Sequence, residues 1–299
     1  MQTKAKKFTI KEFNAQYPND DACLAEVFKQ RYGSLKSCPD CKKETNFYKV
    51  TGRKCYACQF CGYQLHPLAD TIFHKSDTSL KSWFYAIFLF ANSKNGVSGK
   101  ELQRQLGVTY KTAWRMAKQI RLLFKHRGGK LAKTVEVDET YVGGKTKTGS
   151  RAKGTKRGRG AANKTVVFGM VERGGNIKAT VTKNLKNKTI YPIIEENINK
   201  SSTIYTDELS IYWRLNDFGY KHGMVAHAEK QFVNGEIHTN TIEGFWSQLK
   251  RSIRGTYHSV SRKYLQHYVD EFSYRYNLRH ADASSVFPSM LSEVARPVL

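Results

Sequence analysis

Two pairs of cysteines near the N-terminus constrain the fold of this chain more than any other feature. Each pair has the spacing Cys-x-x-Cys, and 16 residues separate the pairs. Two such knuckles can enclose one tetrahedral ion, and four thiolates leave no open position for chemistry. The pattern therefore predicts a zinc ribbon over residues 35–77 with one structural Zn²⁺. Its predicted ligands are Cys38, Cys41, Cys58 and Cys61.

Spacing alone leaves one alternative choice of zinc ligands, because Cys55 forms a competing Cys-x-x-Cys with Cys58. We prefer Cys58 with Cys61, since a glycine follows Cys61 and tolerates the positive φ that a knuckle demands. Cys55 and Cys23 are then expected to be buried thiols. Two nearby histidines are expected to be bystanders beside a complete four-cysteine set: His66 and His74.

The charge balance indicates the class of partner. Lysine and arginine total 50 against 25 acidic residues, which gives a net charge of +25 and a pI near 9.8. Such an excess favours polyanions, nucleic acid first. No run of 18 apolar residues exists, and the N-terminus lacks the apolar stretch of a signal peptide, which argues against a membrane protein. We expect a cytoplasmic, nucleoid-associated protein whose cysteines bind metal rather than form disulfides.

Residues 78–130 have helical patterning and contain a helix-turn-helix candidate. Ser98 and Glu101 form a predicted capping box, Gly107 ends the first helix, and Thr109 caps the second. A second helix of this kind can enter the major groove. Its polar face offers these side chains to DNA: Tyr110, Lys111, Arg115, Lys118 and Arg121. The alternative is an ordinary helical hairpin with a solvated basic face; the adjacent zinc ribbon and the net charge favour DNA binding.

Three acidic residues stand out in the C-terminal region, 131–299. Asp138 and Asp207 end short apolar, β-branched runs, and Glu243 lies in a segment with helical patterning. Lys250 follows Glu243 by seven residues, two turns along one helical face. Carboxylates that converge from different elements are what a pair of hard cations requires.

Neighbouring acids complicate this choice of ligands. Side chains alternate between the faces of a strand. Asp138 and Glu139 are therefore expected to point to opposite faces, as are Asp207 and Glu208. Only one member of each pair is expected to face a shared site.

Two segments carry less information. Residues 1–34 form a lead-in with helical potential around residues 20–32. Residues 145–164 carry eight lysines or arginines among glycines, which predicts a mobile basic loop that contacts phosphate. A solvated insertion that touches nothing is the alternative.

Together these motifs resemble the DDE-class insertion-sequence transposases, which have a zinc ribbon, a helix-turn-helix and a ribonuclease-H-like catalytic domain. The resemblance covers roughly residues 15–290. It rests on four segments: VDETYVGGK at Asp138, YTDELSIY at Asp207, HTNTIEGFWSQLKRSIRGTYHSVS at Glu243, and the trailing YLQHYVDEFSYRYNLR. It implies a multi-domain α+β protein whose catalytic domain is α/β with a mixed sheet.

The resemblance also implies roles for residues. In that family the first acid lies on the first strand, the second on the fourth, and the third on a later helix. These positions are Asp138, Asp207 and Glu243, which would bind two Mg²⁺ or Mn²⁺ ions, with Lys250 as the family's basic residue. Some relatives carry an asparagine in place of the third acid, and Asn240 lies one turn before Glu243 on the same helical face. We favour Glu243, because a carboxylate is the better ligand for a hard cation, with Asn240 and His238 as helpers. We also expect Lys250 and Arg251 to contact phosphate near the cut. The implied partners are double-stranded DNA at element ends and target, in a dimer or larger complex.

Two other functions fit parts of the pattern. A DNA-binding regulator with an inactive catalytic domain would use the zinc ribbon and the helix-turn-helix alone. The presence of all three acids and the lysine argues against it. A metal-dependent nuclease without strand transfer would use the same acids, but it would not need a sequence-reading region.

Overall fold

The computed structural model describes residues 8–125, 128–143, 164–225 and 235–294. They form two compact units, one built mainly from the N-terminal part up to Leu123 and one from Phe124 to Arg279. None of the helices in these ranges has the length and apolar character that a membrane-spanning segment requires.

The N-terminal unit combines helices with a small antiparallel sheet. Its helices before Leu123 are α1 (Ile10–Gln16), α2 (Asp20–Tyr32), α3 (Leu80–Asn92), α4 (Gly99–Leu106) and α5 (Tyr110–Leu122). Its strands are β1 (Phe47–Lys49), β2 (Tyr56–Cys58) and β3 (Gln64–Leu65), in that spatial order. The helix expected over residues 20–32 is confirmed, and the Asn19 side chain caps it by accepting from the Ala22 N–H.

The second unit contains a five-stranded mixed sheet. Its strands are β4 (Thr134–Gly143), β5 (Lys164–Glu172), β6 (Ile177–Thr182), β7 (Thr203–Thr206) and β8 (Lys221–Met224). The spatial order is β6-β5-β4-β7-β8. The first three strands pair antiparallel, whereas β4, β7 and β8 pair parallel. The first strand of the unit is therefore central and the fourth lies directly beside it, as the ribonuclease-H-like prediction requires.

Helices cover both faces of this sheet. The helices of the unit are α6 (Asn187–Asn197), α7 (Asn240–Ser252) and α8 (Leu265–Asn277). Val135 and Val137 of β4 pack with α6 on one face. Val167 and Val171 of β5 pack with α7 and α8 on the other. Because alternate residues of β4 face opposite sides, the even-numbered positions around Asp138 face α7.

The last helix, α9 (Ala283–Val294), belongs to the N-terminal unit. Its Phe287 is buried and lies against Phe13, Tyr17 and Phe88 with ring centroids about 6 Å apart. The predicted domain of 131–299 and the second compact unit thus differ in this helix, since that unit ends at Arg279. Apolar patterning identified the helix, but it does not show which core a terminal helix joins.

Candidate functional site

The first candidate site forms where β7 ends beside β4. The two strands pair in parallel only as far as Glu136 and Tyr205, so among the described residues the edge of β4 beyond Glu136 has no strand partner and lies open. If that register is extended by two residues, Asp138 and Asp207 stand side by side. Asp207 leaves the strand in a turn in which its Oδ1 accepts from the Leu209 N–H at 3.1 Å. The sheet topology thus brings together two acids that lie 69 residues apart.

A third acid joins them at this edge. Carboxylate oxygens of Asp138, Glu139 and Asp207 all lie within 4.8 Å of one another. Asp138 faces α7, whereas Glu139 faces the opposite side and accepts from the Tyr212 hydroxyl at 2.9 Å. The alternation of faces was predicted correctly. The conclusion that only one of the two could serve a shared site was wrong, because both side chains reach around the open edge of β4.

The electrostatics of this acidic cluster favour a cation. Burial, together with the charges of Glu139 and Asp207, raises the pKa of Asp138 to about 7. Burial likewise raises the pKa of Glu139. Crowded carboxylates removed from water favour either a proton or a cation, and hard oxygen donors suit a divalent ion. The cluster therefore fits a divalent metal, whose binding displaces a proton and strengthens as the pH rises towards about 7.

Trp246 on α7 orients Asp138. Its indole Nε1–H donates to Asp138 Oδ2 at 2.9 Å, and only 4% of the residue is exposed. Asp138 pairs across the sheet with Gly169, where an added Cβ would lie 2.6 Å from the Trp246 ring. The absence of a side chain at Gly169 lets the indole lie flat on the sheet. Trp246 therefore packs α7 against the sheet and also donates a hydrogen bond to the acidic cluster.

Replacing Trp246 with phenylalanine is expected to weaken Mn²⁺ binding about tenfold near neutral pH. The ring would still cover Gly169, but the lost N–H bond favoured the charged carboxylate, so the pKa of Asp138 would rise further. Calorimetric titration with Mn²⁺ measures the effect. Trp213→Phe is the matched control, because Trp213 lies in the same unit and is 64% exposed. Equal Mn²⁺ affinity in Trp246→Phe and the unmodified chain would contradict the orienting role.

Glu136 attaches α7 to the strand that carries Asp138. Its carboxylate is fully buried and accepts from the Thr241 N–H, the Ile242 N–H and the Arg173 Nε–H at 2.7–3.1 Å. A carboxylate at a helix N-terminus also stabilises the helix dipole. The first turn of α7 is therefore fixed relative to β4.

The residues predicted near the third acid position occupy that first turn or precede it. Glu243 is exposed, its Oε1 accepts from Thr239 Oγ1 at 2.9 Å, and it is not a member of the acidic cluster. Asn240 is exposed at the first position of α7. His238 lies with its Nδ1 3.2 Å from Glu136 rather than at the cluster. The ligand role of Glu243 and the helper roles remain predictions.

Lys250 lies farther along α7 and lines a groove together with Glu139. Burial lowers the pKa of Lys250, while the charge of Asp138 works in the opposite direction. Arg251 is exposed and does not line this groove. The predicted basic loop at 145–164 lies outside the described residues except for Lys164, which begins β5 and also lines the groove.

The second candidate site is the four-cysteine cluster, which the structure assembles as predicted. The sulfurs of Cys38, Cys41, Cys58 and Cys61 lie within 4.8 Å of one another. The Cys38–Cys61 and Cys41–Cys58 sulfur distances are 3.6 and 3.9 Å. A tetrahedron with Zn–S bonds of about 2.3 Å has edges of about 3.8 Å. The donor set and its spacing therefore fit a structural zinc ion.

The two knuckles have the same backbone shape. The residue after each second cysteine has a positive φ, 61° at Lys42 and 74° at Gly62. The argument from the trailing glycine is thus confirmed, and a lysine adopts the same conformation in the other knuckle. Cys55 is buried and bonds to Gln64 at 3.5 Å, in keeping with its assignment as a bystander.

The predicted helix-turn-helix corresponds to α4 and α5. Ser98 and Thr109 cap the two helices, and Gly107 ends α4 in the left-handed conformation at φ 65°. Gly99 permits close packing, since a Cβ there would lie 3.2 Å from the Tyr110 ring. The Glu101 carboxylate accepts from Gln105 and Arg104 within α4.

The predicted DNA-facing set divides in two. Tyr110 and Lys111 are exposed, and Arg115 and Lys118 are partly exposed. The prediction that Arg121 faces DNA was wrong. Arg121 is 4% exposed, donates to the Val97 carbonyl and lies over the Phe90 ring. Helical periodicity placed it on the polar face, but the neighbouring α3 covers that part of α5, so Arg121 holds the helices together.

A mixed sheet with an acidic cluster where its first and fourth strands meet, together with a four-cysteine ribbon, is typical of a DDE transposase with an N-terminal zinc ribbon. Family comparison agrees. Residues 130–277 match the ISXO2-like transposase domain, and residues 18–64 match the transposase zinc-ribbon domain. The chain therefore belongs to the insertion-sequence transposases that have an N-terminal zinc ribbon.

Similar proteins include one from a transposable element and one described as transposase-like. The chain is 29% identical over 252 residues to an uncharacterised protein in transposable element ISH50 of Halobacterium salinarum, covering 80% of this chain and 84% of the relative. An uncharacterised transposase-like protein of Haemophilus influenzae is 26% identical over 101 residues, 34% of this chain and 80% of the relative. A chain in the crystal structure of a pre-cleavage Mos1 transpososome is 10% identical to this chain. The match covers 72% of this chain and 80% of that chain, with a TM-score of 0.27. That score does not establish a shared fold.

Proposed function

We propose that this protein cuts DNA strands at the ends of an insertion sequence and joins the cut ends to target DNA. The observation that carries the proposal is the convergence of Asp138, Glu139 and Asp207 at the open edge of β4, beside a groove with basic side chains. Family membership supports this reaction class, and the geometry of the acidic cluster supports this location for it.

The chain's own residues have distinct tasks in this proposal. Asp138 and Asp207 would hold two Mg²⁺ or Mn²⁺ ions, and Trp246 fixes the Asp138 carboxylate by donating to its Oδ2. The third carboxylate is Glu243 by family resemblance and Glu139 by the geometry of the described residues. When bound, such ions make a water or a DNA 3′-hydroxyl more nucleophilic and stabilise the leaving oxygen. Lys250 neutralises phosphate charge beside them.

DNA recognition is assigned to the N-terminal unit. The exposed face of α5, with Tyr110, Lys111, Arg115 and Lys118, contacts the element end, and the zinc ribbon supports this region. Two element ends must be held together before transfer, so the active complex contains at least two copies of the chain. The net charge of +25 supports phosphate contact along both units.

A strand-transfer assay tests the proposal and separates it from the alternatives. The intact chain is mixed with Mg²⁺, a labelled duplex that carries the element end, and a supercoiled plasmid as target. We expect nicking at the element end followed by label joined to the plasmid. Nicking without joining, even when a pre-cut end is supplied, would indicate the nuclease. Binding without nicking would indicate the regulator.

A further inference from the structure

A groove of about 980 Å³ begins at the acidic cluster. Glu139 lines the groove and belongs to the acidic cluster, so the groove opens directly onto that cluster. One side comes from the end of β4 and the start of β5. The other comes from the end of α7 and the chain that follows it. The lining residues on that second side are Lys250, Ile253, Arg254, His258, Ser259, Val260 and Ser261.

The groove is positively charged. Lys164, Lys250 and Arg254 all line it, and the charges of Arg254 and Lys164 both lower the pKa of Lys250. Within the described ranges, none of these three side chains forms an ion pair with a carboxylate. Cations that repel one another in a partly enclosed groove call for an anionic ligand.

The turn after α7 places a histidine in this groove at a cost in backbone energy. A π-helical turn (Ile253–Tyr257) is followed by His258 at φ 60° and ψ −46°. The Ser259 N–H donates to the Tyr257 carbonyl at 2.7 Å, which closes a three-residue γ-turn around His258. Glycine would hold this turn with less strain. A non-glycine residue held in such a strained turn indicates a functional role for its side chain.

The surrounding structure fixes this turn. The Tyr257 hydroxyl lies 3.2 Å from both carboxylate oxygens of Glu271, which is fully buried on α8 and paired with Arg275. The strain at His258 is therefore maintained by contacts outside the groove. The imidazole remains available to a ligand that enters it.

We propose that this groove holds the sugar-phosphate backbone of one DNA strand next to the phosphodiester that is cut, with Arg254 and His258 contacting its phosphates. The proposal rests on the proposed function and adds the path that the reacting strand follows. Sequence reasoning assigned the phosphate contact beside Lys250 to Arg251. Arg254, one turn beyond Lys250 on the same helical face, lines the groove, whereas Arg251 does not.

The test asks which DNA phosphate each side chain contacts, by combining single substitutions in the protein with single neutral phosphates in the DNA. Element-end duplexes, each carrying one neutral methylphosphonate at a successive position near the cut, are titrated with the full chain without added divalent cation. Fluorescence anisotropy gives each affinity. For the unmodified chain we expect one or two positions at which neutralisation weakens binding about tenfold. In Arg254→Gln, neutralising those phosphates should no longer change the affinity. The salt dependence of binding should also fall by about one phosphate contact.

Arg251→Gln is the matched control, since it removes the same charge from an adjacent part of the chain. It should keep the full methylphosphonate profile. An unchanged profile in Arg254→Gln, while the unmodified chain binds and nicks, would overturn the groove assignment but not the transposase function. Failure of the unmodified chain to nick the element end would defeat the proposed function instead.

His258→Gly separates a role in binding from a role in folding. Because glycine suits this backbone conformation, the melting temperature should not fall. Binding should nevertheless weaken at the same phosphates. A variant that binds like the unmodified chain would remove His258 from the proposal, and so would a variant whose weaker binding is matched by a lower melting temperature.

Discussion

Replacing Asp207 with asparagine is expected to abolish DNA strand cleavage while leaving DNA binding intact. The substitution keeps the size of the side chain and its turn, in which Oδ1 accepts from the Leu209 N–H. It removes one of three carboxylates that lie within 4.8 Å of one another. Changes outside the direct ligands of a metal cost about 10- to 100-fold in activity. We therefore expect a loss beyond about 100-fold, measured as Mg²⁺-dependent nicking of a labelled element end.

Matched variants make this result specific. Glu208→Gln is the control, because Glu208 follows Asp207 directly and lies outside the acidic cluster. It should cleave like the unmodified chain. Glu139→Gln and Glu243→Gln then identify the third carboxylate, since only the variant that loses cleavage as Asp207→Asn does can supply it. Substantial cleavage by Asp207→Asn itself would contradict the site.

Removing the zinc ligands is expected to unfold the ribbon. Its strands have only three, three and two residues, too few to be stable on hydrogen bonds and packing alone. A structural zinc ion contributes roughly 10–16 kcal/mol in comparable small domains. Cys58→Ser should therefore lose bound zinc and lower the melting temperature, with loss of element-end binding. Zinc content and circular dichroism measure the first two effects.

Cys55→Ser is the control for this experiment. Cys55 is buried, lies three residues before Cys58 and bonds to Gln64 rather than joining the cluster. It should retain one zinc ion per chain and its melting temperature. If Cys58→Ser kept a full equivalent of zinc while Cys55→Ser lost it, the alternative pairing that spacing left open would be correct.

Local signals in the sequence predicted most of the fold. Cysteine spacing gave the ribbon, because a knuckle is defined by a few consecutive residues. Capping residues such as Ser98 and Thr109 gave the helix starts, since a cap acts within one turn. Asp138 and Asp207 were chosen from their spacing and from the family resemblance, and the strands that carry or precede them are neighbours in the sheet.

The features that were missed depend on long-range geometry. Glu139 joins the acidic cluster because β7 ends early and leaves the β4 edge open, which the sequence of β4 alone does not reveal. Arg121 is buried because α3 brings Phe90 against it. Arg254 lines the groove through a turn whose π-helical form has no simple sequence signature. In each case, a segment far away in the sequence determines what the residue contacts, so the local sequence pattern alone does not predict the contact.

The most direct test of the central claim is the anomalous difference density of a crystal of this protein grown with Mn²⁺. We expect density between the carboxylates of Asp138 and Asp207, within bonding distance of one oxygen from each. A third carboxylate, from Glu139 or Glu243, should complete that site. Density absent from this cluster at a Mn²⁺ concentration that supports cleavage would contradict the claim that the open edge of β4 holds the catalytic metal.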